Sequence, residues 1–339
     1  TVAYVPSDTY TGDLKWETTS QFNVGVDLSL FNNRLRMTAD YYRKKTTDLL
    51  NNVEMPRSSG YTTALRNIGS IRNSGFELQL DGRIIDRAVK WDLGVNFSLN
   101  RSKVLVLSED KDIFGGELDN TILKDQLNLM RVGEPMYVFY GYVEDGYDEN
   151  GHIVYKNMDD DPAITAADKT IIGDPNPDFL VNLTTAVSYK GFTLSAVFQS
   201  SIGNDIYSLS MAAQAYDYGY NGNTLREVYY NHWTPENPTA KYPNLDQTSY
   251  KMSDRFVYDG SFVRLKNLEL AYDVPCARSK FIKRARAYVS AQNLFTITSY
   301  PFWDPDINAN GGGSSMIQGV DSYCYPSART YTIGCRLTF

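Results

Sequence analysis

The sequence predicts an all-β protein: an antiparallel β-barrel that crosses a membrane and carries long loops on one rim. Three observations point there. Most strand-like runs are nine to eleven residues of alternating apolar and polar side chains. The connections between runs are short and long in strict alternation. The chain closes on an aromatic, Phe339, that stays in phase with the run before it.

The runs follow in order. Residues 22–30 set Phe22, Val24, Val26, Leu28 and Leu30 against Asn23, Gly25, Asp27 and Ser29, and residues 34–42 set Leu35, Met37, Ala39 and Tyr41 against Arg34, Arg36, Thr38 and Asp40. Residues 75–80 and 90–100 repeat the pattern, then 179–189 and 192–200. Residues 262–272 keep phase only with a one-residue slip near Asn267, which reads as a β-bulge. Residues 284–295 and 330–339 bring the total to about nine strands. Such lengths suit a tilted strand crossing a bilayer. Asn32-Asn33, the segment 84–89, Lys190-Gly191 and the segment 275–283 are the shorter connections; 46–74, 102–178, 203–260 and 298–328 are the long ones. That parity puts the end of the last strand on the turn side, which in bacterial barrels is periplasmic, with Phe339 in an aromatic girdle.

Composition limits the other readings. Mean hydropathy is −0.39 and no run of about eighteen apolar residues exists, which excludes a helical membrane protein but not a barrel. Tyr is the commonest aromatic, 26 against 15 Phe and 4 Trp, and suits boundaries between apolar and aqueous phases. A net charge of −7 argues against a nucleic-acid partner. Cys276, Cys324 and Cys335 match no zinc spacing and cannot all pair, so disulfides are not expected to organise the fold. His152 and His232 lie in separate loops outside any metal-hydrolase spacing, and no G-x-S-x-G elbow is present, so the chain is not read as an enzyme. The paired Asp304 and Asp306 are the weak exception. A soluble β-rich carbohydrate-binding or hydrolytic protein, and a passive porin-like channel, are the alternative readings.

Several blocks, among them LKWETTSQFNVGVDLSLFNNRLRMTADYYRKKTTDLL (14–50), NIGSIRNSGFEL (67–78), GEPMYVFYGYVEDG (133–146), HWTPENPTAKYP (232–243), FVRLKNLELAY (262–272) and the YPSARTYTIG ending, resemble the C-terminal part of SusC/RagA-type TonB-dependent transporters. The resemblance implies a 22-stranded outer-membrane barrel that actively imports glycans or peptides. Its implied partners are a SusD-like surface lipoprotein and, through a plug, the TonB complex; the transporter–lipoprotein pair dimerises in relatives. Nine strands are an incomplete bacterial barrel and no leader is visible at Thr1, so residues 1–339 are expected to be its C-terminal portion, with plug and front strands outside the chain.

Two groups of residues are candidate sites. Relatives carry a calcium-loop-like stretch where this chain has NMDDDPAITAAD, whose oxygen donors would be Asn157, Asp159, Asp161 and Asp168; Asn157 replaces a charged ligand and Pro162 the turn glycine. Crowded carboxylates make calcium a sensible cofactor, beside the simpler reading of a solvated acidic loop. In the long loops, Tyr216, Tyr218, Tyr220 and Trp303 offer flat aromatic faces for substrate, whereas Trp233 reads as loop support.

Overall fold

The computed structural model describes residues 13–54, 58, 60–61, 63–108, 111–119, 123–216, 223–276, 281–307 and 316–339. Nine strands form one sheet: β1 (Thr18–Leu30), β2 (Leu35–Glu54), β3 (Thr63–Asp86), β4 (Val89–Leu107), β5 (Phe179–Tyr189), β6 (Phe192–Ile202), β7 (Phe262–Val274), β8 (Arg284–Thr298) and β9 (Thr330–Thr338). Each pairs antiparallel with its neighbours in the chain, so spatial order is chain order.

Register divides the sheet into two chemically distinct faces. One row across eight strands runs Leu28, Met37, Leu80, Val95, Leu183, Phe198, Leu265, Phe295, entirely apolar. The row one residue away runs Asp27, Thr38, Gln79, Asn96, Asn182, Gln199, Arg264, Thr296, entirely polar. Side chains alternate across a strand, so a one-residue slip anywhere would exchange these rows and drive charges into the apolar face. The expected bulge preserves them: Val197 pairs with Asn267 and Phe198 with Leu265, leaving Lys266 as the extra residue. About nine residues of this pattern, at ~3.4 Å each and tilted about 40°, give an apolar band roughly 25 Å tall.

Aromatics edge that band. On the turn side stand Phe31, Tyr189, Phe192, Tyr272 and Phe339, with the Phe192 and Tyr272 rings 4.5 Å apart and Phe339 70 % exposed. Nearer the loop side, Phe76, Phe97 and Phe179 form a line with ring spacings of 6.4 and 5.8 Å. The turns are tight because their residues tolerate the left-handed region: Lys190 and Gly191 have φ of 45° and 85°, as a two-residue type I′ hairpin demands.

Strand length departs from the sequence reading. Residues 46–74, expected as a long connection, are mostly strand, because β2 and β3 continue past the band with pairs such as Leu50–Asn67 and Asn51–Arg66. Beyond the band neither face meets hydrocarbon, so the period-two signal fades while the backbone ladder persists. The true long connections fold together over the loop-side rim. Among the described residues they contain short strand pairs and the α-helices α1 (Leu209–Tyr216) and α2 (Arg226–Tyr230), around a core that includes Phe139, Tyr207, Ala212, Val228, Phe256 and Val320. Every residue of α1 except Gln214 is buried, leaving no polar face from which to read a helix. The three cysteines are free.

Leu183→Arg, in the middle of the apolar face, should destabilise the folded barrel in lipid vesicles by about 2–4 kcal/mol. Thr184→Arg, one residue along on the polar face, should cost far less. Equal losses in heat-modifiable gel migration and urea unfolding would contradict the two-faced sheet.

Candidate functional site

The polar face and the loops above it form one concave surface with three sectors. Strands β1–β3 carry Arg36, Asp40, Glu77 and Asp81 on this face, and β7–β9 carry Arg264, Glu269, Asp273, Arg286 and Arg336. Between them, β5 and β6 present only Leu180, Asn182, Thr184, Ala186 and Ser188 paired with Ser201, Gln199, Val197, Ser195 and Thr193. Cavities lie along the wall, among them one of about 400 Å³ against β7–β9, lined by Glu269, Asp273, Arg286 and Arg336, and two more. One of about 640 Å³ at the turn end is lined by charge, with Arg34, Arg36, Arg83, Asp81, Asp86 and Asp92. The other, of about 310 Å³, lies under the loops and has Asp306 as its one charged lining residue among those described.

Buried ion pairs fasten the loops over this wall. The Arg264 guanidinium, on the polar face of β7, donates to Asp304 and to Asp306 (3.3 Å) and Ser327 (3.3 Å), while its Nε donates to Thr296 (2.9 Å). Its side chain is 2 % exposed and that of Asp304 6 %, so both charges are out of water. Burial alone would raise the Asp304 carboxyl above its usual range, but N–H donors from Ser327 and Asp306 and the Arg264 guanidinium outweigh it and hold the carboxyl below that range. The pair suggested by Asp304 and Asp306 is thus a guanidinium clamp, and Asp304 lacks the free oxygens a hydrolase would need. A second clamp joins Arg255 to Glu144, with Ser253 donating to the same carboxylate at 2.7 Å. Burial would lower the Arg255 pKa; the Glu144 carboxylate more than offsets this and raises it. A third knot is polar: Tyr300 donates to Asp321 at 2.6 Å and accepts from the Ser208 hydroxyl at 2.9 Å, and Ser210 donates to Asp321 at 3.1 Å, all buried. Burial first, then the Asp321 carboxylate, pushes the Tyr300 phenol up.

The aromatic candidates separate. Tyr216 is not a substrate-facing residue: it is 4 % exposed, stacked on Tyr250 at 3.8 Å and edge-on to Phe256 at 5.1 Å, because the end of α1 plugs into the loop core. Tyr218 and Tyr220 lie outside the described residues. Trp303 stands on the surface at 57 % exposure, stacked on Phe302 at 4.7 Å, beside the loop residues that roof the smaller cavity. Trp233 supports loop structure, its indole filling the space that a Cβ on Gly151 would occupy, at a residue whose φ is +78°.

The acidic loop brings Asn157, Asp159, Asp161 and Asp168 together, but turns their oxygens onto its own backbone. Asn157 accepts from Asp159 N–H (3.1 Å), Asp159 from Asp161 N–H (2.8 Å), and Asp161 from Ala163 N–H (3.0 Å). Asp168 accepts from Met158 and Thr165, both at 2.7 Å, and those two N–H groups hold its carboxyl below the usual range. Thr165 and Asp168 also form a capping box on residues 166–168. Among the described residues, no three carboxylate, imidazole or thiolate side chains converge as a cation site. As folded, backbone N–H groups take one oxygen each of Asn157, Asp159 and Asp161 and both oxygens of Asp168.

Comparison with known proteins places these features in context. The TonB dependent receptor-like β-barrel family matches residues 3–294. TonB-dependent receptor P3 of Formosa agariphila is 33 % identical over 99 % of this chain and 35 % of its own length; TonB-dependent receptor SusC of Bacteroides thetaiotaomicron is 29 % identical over 96 % and 32 %. Among solved structures, the RagAB peptide transporter superposes with a TM-score of 0.82 at 28 % identity, covering 98 % of this chain and 36 % of that one. The chain spans about a third of the length of the curated relatives it matches.

Arg264→Ala should cost about 3–5 kcal/mol by leaving Asp304 buried and unpaired. It should speed proteolytic nicking within residues 299–329 while the barrel remains folded. The depressed Asp304 pKa stabilises the loop fully above about pH 4, and that stability is lost as pH falls below it, so wild-type nicking should rise there. Calcium titrated calorimetrically into the folded protein should give no saturable heat; saturable binding abolished by Asp168→Ala would restore the cation reading.

Proposed function

We propose, from a chain that belongs to the TonB dependent receptor-like β-barrel family, that this polypeptide forms part of the wall and the extracellular chamber of an active outer-membrane importer for large nutrients, glycans or peptides. The observation that carries the reading is the pair of adjacent rows, one wholly apolar and one wholly polar, continuous across the sheet. A wall with lipid on one side and an aqueous lumen on the other requires that arrangement. The apolar band meets the membrane, and the turn side, with Phe339, faces the periplasm.

The mechanism divides between surfaces. The roofed loops receive substrate beneath a SusD-like lipoprotein, a partner suggested by similarity to SusC and to the RagAB transporter. Their clamps keep the loops in one arrangement, so binding does not have to order them. The polar wall forms the conduit, and the inner-membrane TonB complex supplies energy through a plug. The transporter–lipoprotein pair works as a dimer of such pairs. No step calls for a catalytic group or a metal, and the relatives are named as receptors and transporters.

The full-length protein should leave membranes only with detergent. In cells, uptake of its substrate should stop when the protonmotive force is collapsed or the TonB complex is removed. Uptake that continues unchanged under both conditions would indicate a passive channel, and a protein dispersed and folded in plain buffer would refute the membrane reading.

A further inference from the structure

We infer that the outward face of β2–β4, at the loop-side edge of the apolar band, is a binding site for an anionic, phosphate-bearing lipid of the outer leaflet; the inference rests on the membrane reading above. Register builds this surface. On β1–β4 the outward rows rise from Val24–Tyr41–Phe76–Leu99 to Phe22–Arg43–Ser74–Arg101 and then to Ser20–Lys45–Arg72–Lys103. Arg43, Lys45, Arg72, Arg101 and Lys103 thus share the parity that faces lipid lower on the same strands. At ~3.4 Å per residue and a tilt of about 40°, the two cationic rows lie roughly 5 and 10 Å above the Tyr41–Phe76–Leu99 row. A headgroup layer is roughly 5–8 Å deep, so the cations stand at the height of lipid phosphates.

Charge and setting select the ligand. Lys45, Arg72 and Lys103 stand directly opposite one another on adjacent strands, where like charges repel. Arg101 reaches Asp178 at 2.7 Å, but among the described residues Arg43, Lys45, Arg72 and Lys103 pair with no carboxylate. A phosphate lying across the row relieves that repulsion, and an arginine fork matches its oxygens in two bonds. The outward parity points away from the lumen and anything within it, and β2, β3 and β4 are each paired on both sides by strands of this chain. Below the cations, Phe22, Tyr41 and Phe76 are exposed and offer apolar surface to acyl chains, which a soluble anion lacks. The cluster is local: at the loop-side ends of β5–β8 the outward positions are Phe179, Ile202, Val263 and Ile297.

The test uses the full-length transporter with its lipoprotein, stripped of lipid in a neutral detergent and read by native mass spectrometry. Lipid A bearing one phosphate, the same lipid after dephosphorylation, phosphatidylcholine and inorganic phosphate are added in turn. The phosphorylated lipid A should be retained about tenfold better than the other three. Arg72→Gln should weaken its retention about fivefold, as the loss of one charge near a lipid surface implies, and the triple change Lys45→Gln, Arg72→Gln and Lys103→Gln should weaken it further. Lys44→Gln, next to Lys45 but on the lumen parity, removes the same charge and should leave retention unchanged; heat-modifiable migration checks that each variant is folded. Retention of none of the lipids, equal retention with and without the phosphate, inorganic phosphate binding as well as the phosphorylated lipid, or equal effects of Arg72→Gln and Lys44→Gln would each overturn the site. If the protein still requires detergent and takes up substrate under energy with such a result, the membrane and importer readings stand and only this inference falls.

Discussion

The constraint on which this structure depends is that backbone N–H and C=O groups in hydrocarbon have no water to satisfy them. A strand can cross only if both its edges are paired, and seven of the nine strands are paired on both sides within the chain. Once the ladder is fixed, the alternation of side chains is fixed too. Every strand must then assign one parity to lipid and the other to the lumen. The Leu28-to-Phe295 and Asp27-to-Thr296 rows are the outcome; the bulge at Lys266 keeps β7 in phase with β6, and a matching irregularity at Asn293 and Leu294 keeps β8 in phase with β7. A bulge there is not a defect, since without it half of β7 would turn Arg264 toward lipid.

The loops obey a different rule. They are in water, so they cohere as a soluble domain does, by burying aromatics and aliphatics and by pairing the charges that come along. Arg264 with Asp304, and Arg255 with Glu144, tie segments forty or more residues apart, and the Tyr300–Asp321–Ser208 knot adds a third anchor. Such pairs add little net stability over an apolar contact of the same shape, but breaking one leaves a buried charge, so they fix which arrangement the loops adopt. The Arg264 clamp does so at the junction of wall and roof, where β7 meets residues 299–329. Loop geometry and wall chemistry are thereby coupled, and the neutral sector of β5 and β6 lies directly beneath that junction.

Much of the wall is legible from residue order because lipid imposes a local, periodic demand. Phe22, Val24, Val26, Leu28 and Leu30 announce a strand without reference to any other part of the chain. The tight Lys190-Gly191 turn and the phase slip near Asn267 are equally local. The upper parts of β2 and β3 are not legible, because consecutive residues such as Arg43, Lys44 and Lys45 are exposed on both faces and carry no alternation. The helix α1 is hidden for the opposite reason, being buried nearly all round.

Sequence by itself determined the antiparallel wall, its order, its parity and the face each strand gives to lipid, since those follow from nearest-neighbour alternation and turn chemistry. Tertiary structure alone decided what the loop residues do. Tyr216 carries the same ring whether it greets a substrate or plugs a core, and Asp304 the same carboxylate whether it catalyses or holds Arg264. Their roles depend on partners distant in the chain, such as Tyr250 or Arg264, and no local spacing encodes those. The outward cations are an intermediate case: each is visible in its own strand, but only register aligns Lys45, Arg72 and Lys103 into one surface.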